Sequence, residues 1–237
     1  MVALLSIATV VVLGTCGFGG YLLVRDENTV VGEDPNAVPT IPKRDITSRK
    51  TDPDRLKAAD VFPTTEIVVD PAYPPYKRVG AVQINNEPGC RIATVGAVGD
   101  LLSRLGCNQV IRATFTSPDG QFVVTAGLLN LRDAASAMEG HNQLSTLIGP
   151  KNRLTGYIPA GGSTKVRVLG TAPTSLAWNA QGHFLLYTVV ARFDGKEIPT
   201  DDEHLKIIVY DMLQKHLRDT ALEQWMTEDT PTPATTG

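Results

Sequence analysis

From Val2 to Val24 the chain carries no charged residue, and this run limits what the polypeptide can become. A helix over it rises about 34 Å at 1.5 Å per residue, enough to cross the hydrocarbon core of a bilayer with some tilt. An uncharged helix of that length has no polar face to turn toward water. The run predicts a transmembrane helix within residues 1–24, which makes the membrane the first expected partner. Two other readings compete: a cleaved signal peptide, and a lipoprotein signal ending at Cys16, since Leu13-Gly14-Thr15-Cys16 partly matches a lipobox. Both fit less well. Thr15 is bulky for such a site, no basic stretch precedes the run, and Tyr21-Leu22-Leu23-Val24 stays apolar beyond the supposed cut.

Positive charge orients the span poorly, because Arg25 is the only basic residue close behind it. The cysteines argue more strongly. Cys90 and Cys107 are the only thiols beyond the span, they bracket a short helical segment, and they lack the Cys-x-x-Cys spacing of a zinc site. A disulfide is the simplest use for them. Such a bond persists in oxidising compartments, so the domain is expected outside the cytoplasm of a single-pass protein. Gly14, Gly17, Gly19 and Gly20 also set small residues along the span, where a second copy can approach closely.

With 22 Lys+Arg against 25 Asp+Glu, the chain lacks the basic footprint of a nucleic-acid binder. Residues 25–60 shift to charges, Thr and Pro with few large apolar side chains, the composition of a flexible stalk. Residues 61–226 then read as one α+β domain, and 227–237 as a disordered tail. Within the domain, Val98, Leu101, Leu102 and Leu105 have helical spacing, with Thr94 as cap and Gly106 as stop. Ile111, Ala113 and Phe115 alternate with polar residues ahead of the turn Ser117-Pro118-Asp119-Gly120, and Phe122, Val124, Ala126 and Leu128 return. A helix follows from Leu131 to Leu147, carrying Ala134, Met138, Leu144 and Ile148.

The plan then repeats. Gly120-Gln121-Phe122-Val123-Val124-Thr125-Ala126 is echoed by Gly182-His183-Phe184-Leu185-Leu186-Tyr187-Thr188. A second hairpin is expected from Ser175–Asn179 and His183–Phe193, with Val166–Leu169 as a further strand. Two hairpin-plus-helix units predict an antiparallel sheet with helices on one face, a ferredoxin-like sandwich. The last helix opens on Thr200-Asp201-Asp202-Glu203, which has the form of a capping box. Its apolar stripe is Leu205, Ile208, Val209, Met212, Leu213, Leu217 and Thr220, with Trp225 beyond, and Asp211 is placed to pair with Lys215 in water.

No catalytic signature accompanies these elements: there is no Gly-x-Ser-x-Gly elbow, no His-Glu-x-x-His helix and no phosphate-loop Lys. The sequence therefore implies no catalytic residue, metal set or cofactor. Its four histidines are scattered. His216 falls on the apolar stripe and His183 opens a strand near Trp178, so these three are the candidates for ligand contact. The plainer readings are a packed core histidine for His216 and a solvated side chain for His141. Asp201, Asp202 and Glu203 fit service to the helix dipole. Gly161-Gly162-Ser163-Thr164 fits a flexible connection better than an anion site, and Tyr73-Pro74-Pro75-Tyr76 fits a rigid lead-in better than a polyproline ligand.

The run from Gly106 through Cys107 and Arg112-Ala113-Thr114-Phe115 to Gly120, together with Leu217-Arg218-Asp219-Thr220, resembles membrane-anchored extracytoplasmic proteins of unknown function from high-GC Gram-positive bacteria. The resemblance covers the folded domain and the anchor. It implies an outward-facing domain and brings no catalytic residues. The expected function is a tethered, non-catalytic module that binds an envelope protein or ligand. Two alternatives stand beside it: a small-molecule or haem-handling α+β enzyme using His216 or His183, and a structural component of an envelope assembly.

Overall fold

A computed structural model describes residues 43–87, 89–160, 162 and 166–227. The expected span, Cys16 and the first half of the stalk, residues 25–42, lie outside them, as do residues 228–237. Among the described residues no helix is long and apolar enough to cross a membrane.

The chain runs α1 (Ala58–Val61), β1 (Glu66–Ile67), β2 (Tyr76–Asn86), a 3-10 turn (Gly89–Ala93), β3 (Thr94–Val95), α2 (Ala97–Arg104), β4 (Gln109–Thr116), β5 (Phe122–Asn130) and α3 (Ala134–Leu147). It continues through β6 (Arg153–Leu154), α4 (Val168–Thr171), β7 (Ser175–Gln181) and β8 (Phe184–Arg192) to a long C-terminal helix. Six strands form one antiparallel sheet in the order β1-β2-β4-β5-β8-β7, and β3 pairs separately with β6. The fold is α+β. The repeated segments become β5 and β8, neighbouring interior strands that pair along their whole length, Phe122 opposite Arg192 and Asn130 opposite Phe184.

Helices cover both faces of this sheet, a correction to the ferredoxin-like expectation. One face carries Phe115, Phe122, Leu128, Phe184 and Leu186 against the C-terminal helix. The other carries Val110, Val123, Leu129, Leu185 and Val189 against α2 and α3. The reason lies in β4, β5 and β8, whose residues are buried almost without interruption. A sheet apolar on both sides must be covered on both sides.

Cys90 and Cys107 form the expected disulfide, with Cα atoms 6.1 Å apart, which staples the 3-10 turn to the entrance of β4 across α2. Several local expectations shift. Gly96, not Thr94, precedes α2. Met138 is exposed, because α3 buries the face of Ala137, Gly140 and Leu144 and brings Gly140 against Leu105 and Leu131. Val166–Leu169 forms a turn and the start of α4 rather than a strand. Thr227 closes the last helical turn instead of opening a tail.

Residues 43–60 belong to the domain rather than to a stalk. Ile46 and Leu56 enter the core, Ser48 bridges to Asp133, and the Ile46 carbonyl accepts the His183 amide at 2.8 Å. Gly182 permits this approach. It turns the β7–β8 hairpin at φ 55°, and a Cβ there would stand 2.3 Å from the Ile46 oxygen. β2 was hidden in the sequence by Pro74 and Pro75 just ahead of it and by Gly80, whose φ of 73° sits where the register with β4 shifts between Val79 and Gln83.

The C-terminal helix is α-helical over Glu203–Val209 (α5), π-helical over the 13 residues Tyr210–Leu222, and α-helical again over Glu223–Thr227 (α6). Its cap is Asp202, whose carboxylate accepts the Leu205 amide at 3.0 Å, so the expected box on Thr200 is displaced by two residues. Five-residue spacing also marks the π segment in its side chains: Thr220 Oγ1 donates to the Lys215 carbonyl at 2.8 Å and Gln214 Nε2 to Asp219 at 3.0 Å. The wider turn advances less per residue than an α-helix. It buries Met212, Leu213, His216, Leu217, Ala221 and Leu222 together and leaves Thr220 exposed, where an α-helical stripe would have enclosed it.

Candidate functional site

The segment from Phe62 to Tyr76 crosses the domain beside the C-terminal helix. Pro63, Pro71, Pro74 and Pro75 keep it extended and limit its sheet pairing to the two residues of β1. It stands off from the helix, and two adjoining cavities that share Val69 open between them.

The larger cleft, about 490 Å³, is bounded by Asp70, Tyr73 and Pro74 on one side, the β4–β5 turn at Ser117-Pro118-Asp119 on another, and His204, Ile207 and Asp211 on the helix. That volume falls within the range of about 300–1,000 Å³ typical of ligand sites. At its base the Tyr76 hydroxyl donates to Asp211 Oδ2 at 2.7 Å, joining the first residue of β2 to the π segment. Burial pushes the Tyr76 phenol up, and the bond to Asp211 pushes it further. Burial also raises the Asp211 carboxyl; the bond from Tyr76 opposes this and the nearby Asp70 adds to it. Tyr73 is 68% exposed and Ile207 55% exposed at the mouth. Three carboxylates and no Lys or Arg line the cleft.

The smaller cavity, about 270 Å³, lies between Phe62, Pro63, Ile67, Val68 and the helix residues Lys215, His216, Asp219 and Thr220. The His216 ring stacks on Phe62 with centroids 5.2 Å apart. Burial drives its pKa down to about 4, against a smaller opposing effect from its hydrogen bond to the Val61 backbone. Its Nε2 has no partner.

The three sequence candidates are not brought together. His183 belongs to a buried polar knot, with Nε2 3.0 Å from Asp52 Oδ2 and Nδ1 facing Asn130 Oδ1 at 3.1 Å and the Leu131 carbonyl at 3.2 Å. Both ring nitrogens are engaged. Trp178 lies on edge strand β7, packs on the α3 side and donates its indole N–H to the His141 carbonyl at 3.0 Å. Of the three, His216 lines the smaller of these two cavities. His141 is half-buried with Nδ1 unpartnered rather than solvated. Of Gly161-Gly162-Ser163-Thr164, only Gly162 is among the described residues.

Sequence reading missed Asp70, Tyr76, Asp119 and Asp211 as a group. Tyr73-Pro74-Pro75-Tyr76 carried a signal, but for a lead-in; it forms a wall of the cleft. Asp211 was expected to pair with Lys215, whereas the π register turns it toward Tyr76 and leaves Lys215 3.8 Å from Asp219. Among the described residues no group of three or more His, Cys, Asp or Glu is placed to hold a metal ion. Comparison with known proteins finds no family model, no curated protein and no solved structure that matches this chain.

Proposed function

We propose that this is a single-pass envelope protein whose domain, held outside the cytoplasm by residues 1–24, binds a partner protein without catalysing a reaction. The partner presents a basic side chain flanked by apolar residues, and the larger cleft receives it. One observation carries this reading: the cleft combines exposed apolar and aromatic walls with three carboxylates and no positive lysine or arginine. Tyrosine faces and carboxylates attract a cation together, and the apolar rim adds buried area around it. The Cys90–Cys107 bond supports the compartment, since such bonds are rare where thiols are kept reduced.

The haem-handling alternative gains nothing from His183, whose nitrogens are both occupied. A purely structural role rests on the glycines of the span, which lie outside the described residues.

The test is site-specific photo-crosslinking of the full chain in its native membrane, with the probe at Ile207 in the cleft or at Met138 on the opposite face. A discrete adduct from Ile207, absent from Met138 and lost when Asp70→Lys and Asp119→Lys are combined, is expected. Equal adducts from both positions, or an Ile207 adduct indifferent to charge reversal, would contradict the proposal.

A further inference from the structure

We propose that β7 is a pairing edge for a second copy of this chain, two β7 strands joining antiparallel about a two-fold axis at Trp178. β7 closes one end of the six-stranded sheet, beyond β8, and β1 closes the other. The two edges differ. β1 offers only two residues, one of them Glu66, between Pro63 and Pro71. β7 runs for seven residues without a charge or a proline. Its register with β8 is continuous from Ser175 opposite Val190 to Gln181 opposite Phe184, so no bulge bends it away. Charges, prolines, bulges and short length are the devices that keep sheet edges from pairing. β7 carries none of them.

The bonds of β8 to its other neighbour fix which backbone groups of β7 face outward. The Leu131 amide donates to the His183 carbonyl and the Phe193 amide to the Gln121 carbonyl, so odd-numbered residues along β8 bond toward β5. Even-numbered ones then bond toward β7, to Ser175, Ala177, Asn179 and Gln181. Leu176, Trp178 and Ala180 are left facing away from the sheet. Among the described residues, the protein group that meets their amides and carbonyls is Asn179 Oδ1, which accepts the Ala180 amide at 2.9 Å.

These three residues are spaced evenly about Trp178. A copy related by a two-fold axis there sets Leu176 opposite Ala180, Trp178 opposite its counterpart and Ala177 opposite Asn179. Each outward amide then meets an outward carbonyl. Because the strand is uncharged, no repulsion opposes two identical edges. The pairing uses the long edge of both copies and leaves the two-residue β1 at either end, so assembly stops at two. The Trp178 indole, bonded to the His141 carbonyl, ties β7 to α3 before association and so lowers the ordering cost. The larger cleft stays open, because the segment that walls it contains β1, at the opposite edge.

Cross-linking between differently tagged full-length chains in their native membrane tests the register. In a Cys16→Ser background, one chain carries Ala177→Cys and the other Asn179→Cys. Opposed residues of a non-hydrogen-bonded pair stand about 4.5 Å apart, within disulfide reach. On mild oxidation the mixed pair is expected to cross-link about tenfold more than either variant alone. Ala180→Pro removes an amide that β8 does not use, so it should leave the far-ultraviolet spectrum unchanged and lower the cross-link about tenfold. The proposal is overturned if the mixed pair cross-links no more than each variant alone, or if the folded proline variant cross-links as fully. Combining Asp70→Lys with Asp119→Lys, which disables the larger cleft, should leave the cross-link intact.

Discussion

His183 Nε2 stands 3.0 Å from Asp52 Oδ2, and neither side chain has exposed surface. Asp52 also accepts the Trp225 indole N–H at 2.9 Å and an Arg44 guanidinium N–H at 2.8 Å, while Arg44 lies 4.0 Å over the Trp225 ring. One carboxylate thus joins the segment entering the domain, the start of β8 and the last helical turn. Its donors form charge-assisted bonds, the strong class of hydrogen bond.

Asp52→Ala is therefore expected to destabilise the domain by about 3–5 kcal/mol, the usual cost of removing one partner from a buried ion pair. Urea unfolding followed by tryptophan fluorescence checks this, and Trp225 reports the lesion directly. Burial by itself would raise the Asp52 carboxyl, but the bonds from His183, Trp225 and Arg44 outweigh it and hold its pKa below the ordinary value. The stability it contributes is present above about pH 4, where the unfolded carboxyl is ionised, and is lost as pH falls through the depressed folded value.

His216 adds a second, higher window. Its folded pKa near 4 lies below the ordinary 6.5, so between those values the unfolded chain binds a proton that the folded chain does not. Stability should fall as pH drops from 6.5 toward 4, by about 3 kcal/mol in all. Denaturation midpoints measured across that range should show the slope, and His216→Phe should flatten it.

The Cys90–Cys107 bond closes a loop with a sequence separation of 17, a size worth about 3 kcal/mol in the chain-entropy account. Replacing both cysteines with serine should lower stability by about that amount and loosen α2 before the sheet. Hydrogen exchange resolves the order: α2 amides should lose protection first while β5 and β8 keep theirs.

What the sequence disclosed was local pattern, and what it concealed was register and cover. Ile111, Ala113 and Phe115 announced β4 because their alternation is intrinsic to a strand, and Ser117-Pro118-Asp119-Gly120 announced its turn. The echo of Gly120 in Gly182 identified two interior strands, although not their pairing. β2 escaped because Gly80 breaks its alternation. The burial of Asp52 depends on Arg44, His183 and Trp225 meeting across long separations, which no local pattern encodes. Asp211 and Thr220 were misplaced for a single reason: helical periodicity assumes the α repeat, and the π segment lengthens it. His216 was legible as a buried histidine; its orphaned nitrogen was not, since that depends on where Val61 and Phe62 lie.

The proposed placement outside the cytoplasm gives a direct expectation for intact cells. A membrane-impermeant amine-reactive ester should label the exposed Lys50, Lys77 and Lys151 as fully before lysis as after it. Labelling confined to lysed cells would place the domain in the cytoplasm and remove the oxidising environment that the disulfide needs.

Occupancy of the larger cleft is most directly read by hydroxyl-radical footprinting of the full chain, compared between its native membrane and the purified state. Tyr73 at the cleft mouth is 68% exposed and Met138 on the far face 50% exposed, so both are oxidised readily when uncovered. A bound partner should protect Tyr73 in the membrane sample and leave Met138 unchanged. Equal oxidation of Tyr73 in the two samples, or matching protection at Met138, would contradict a partner seated between the Phe62–Tyr76 segment and the C-terminal helix.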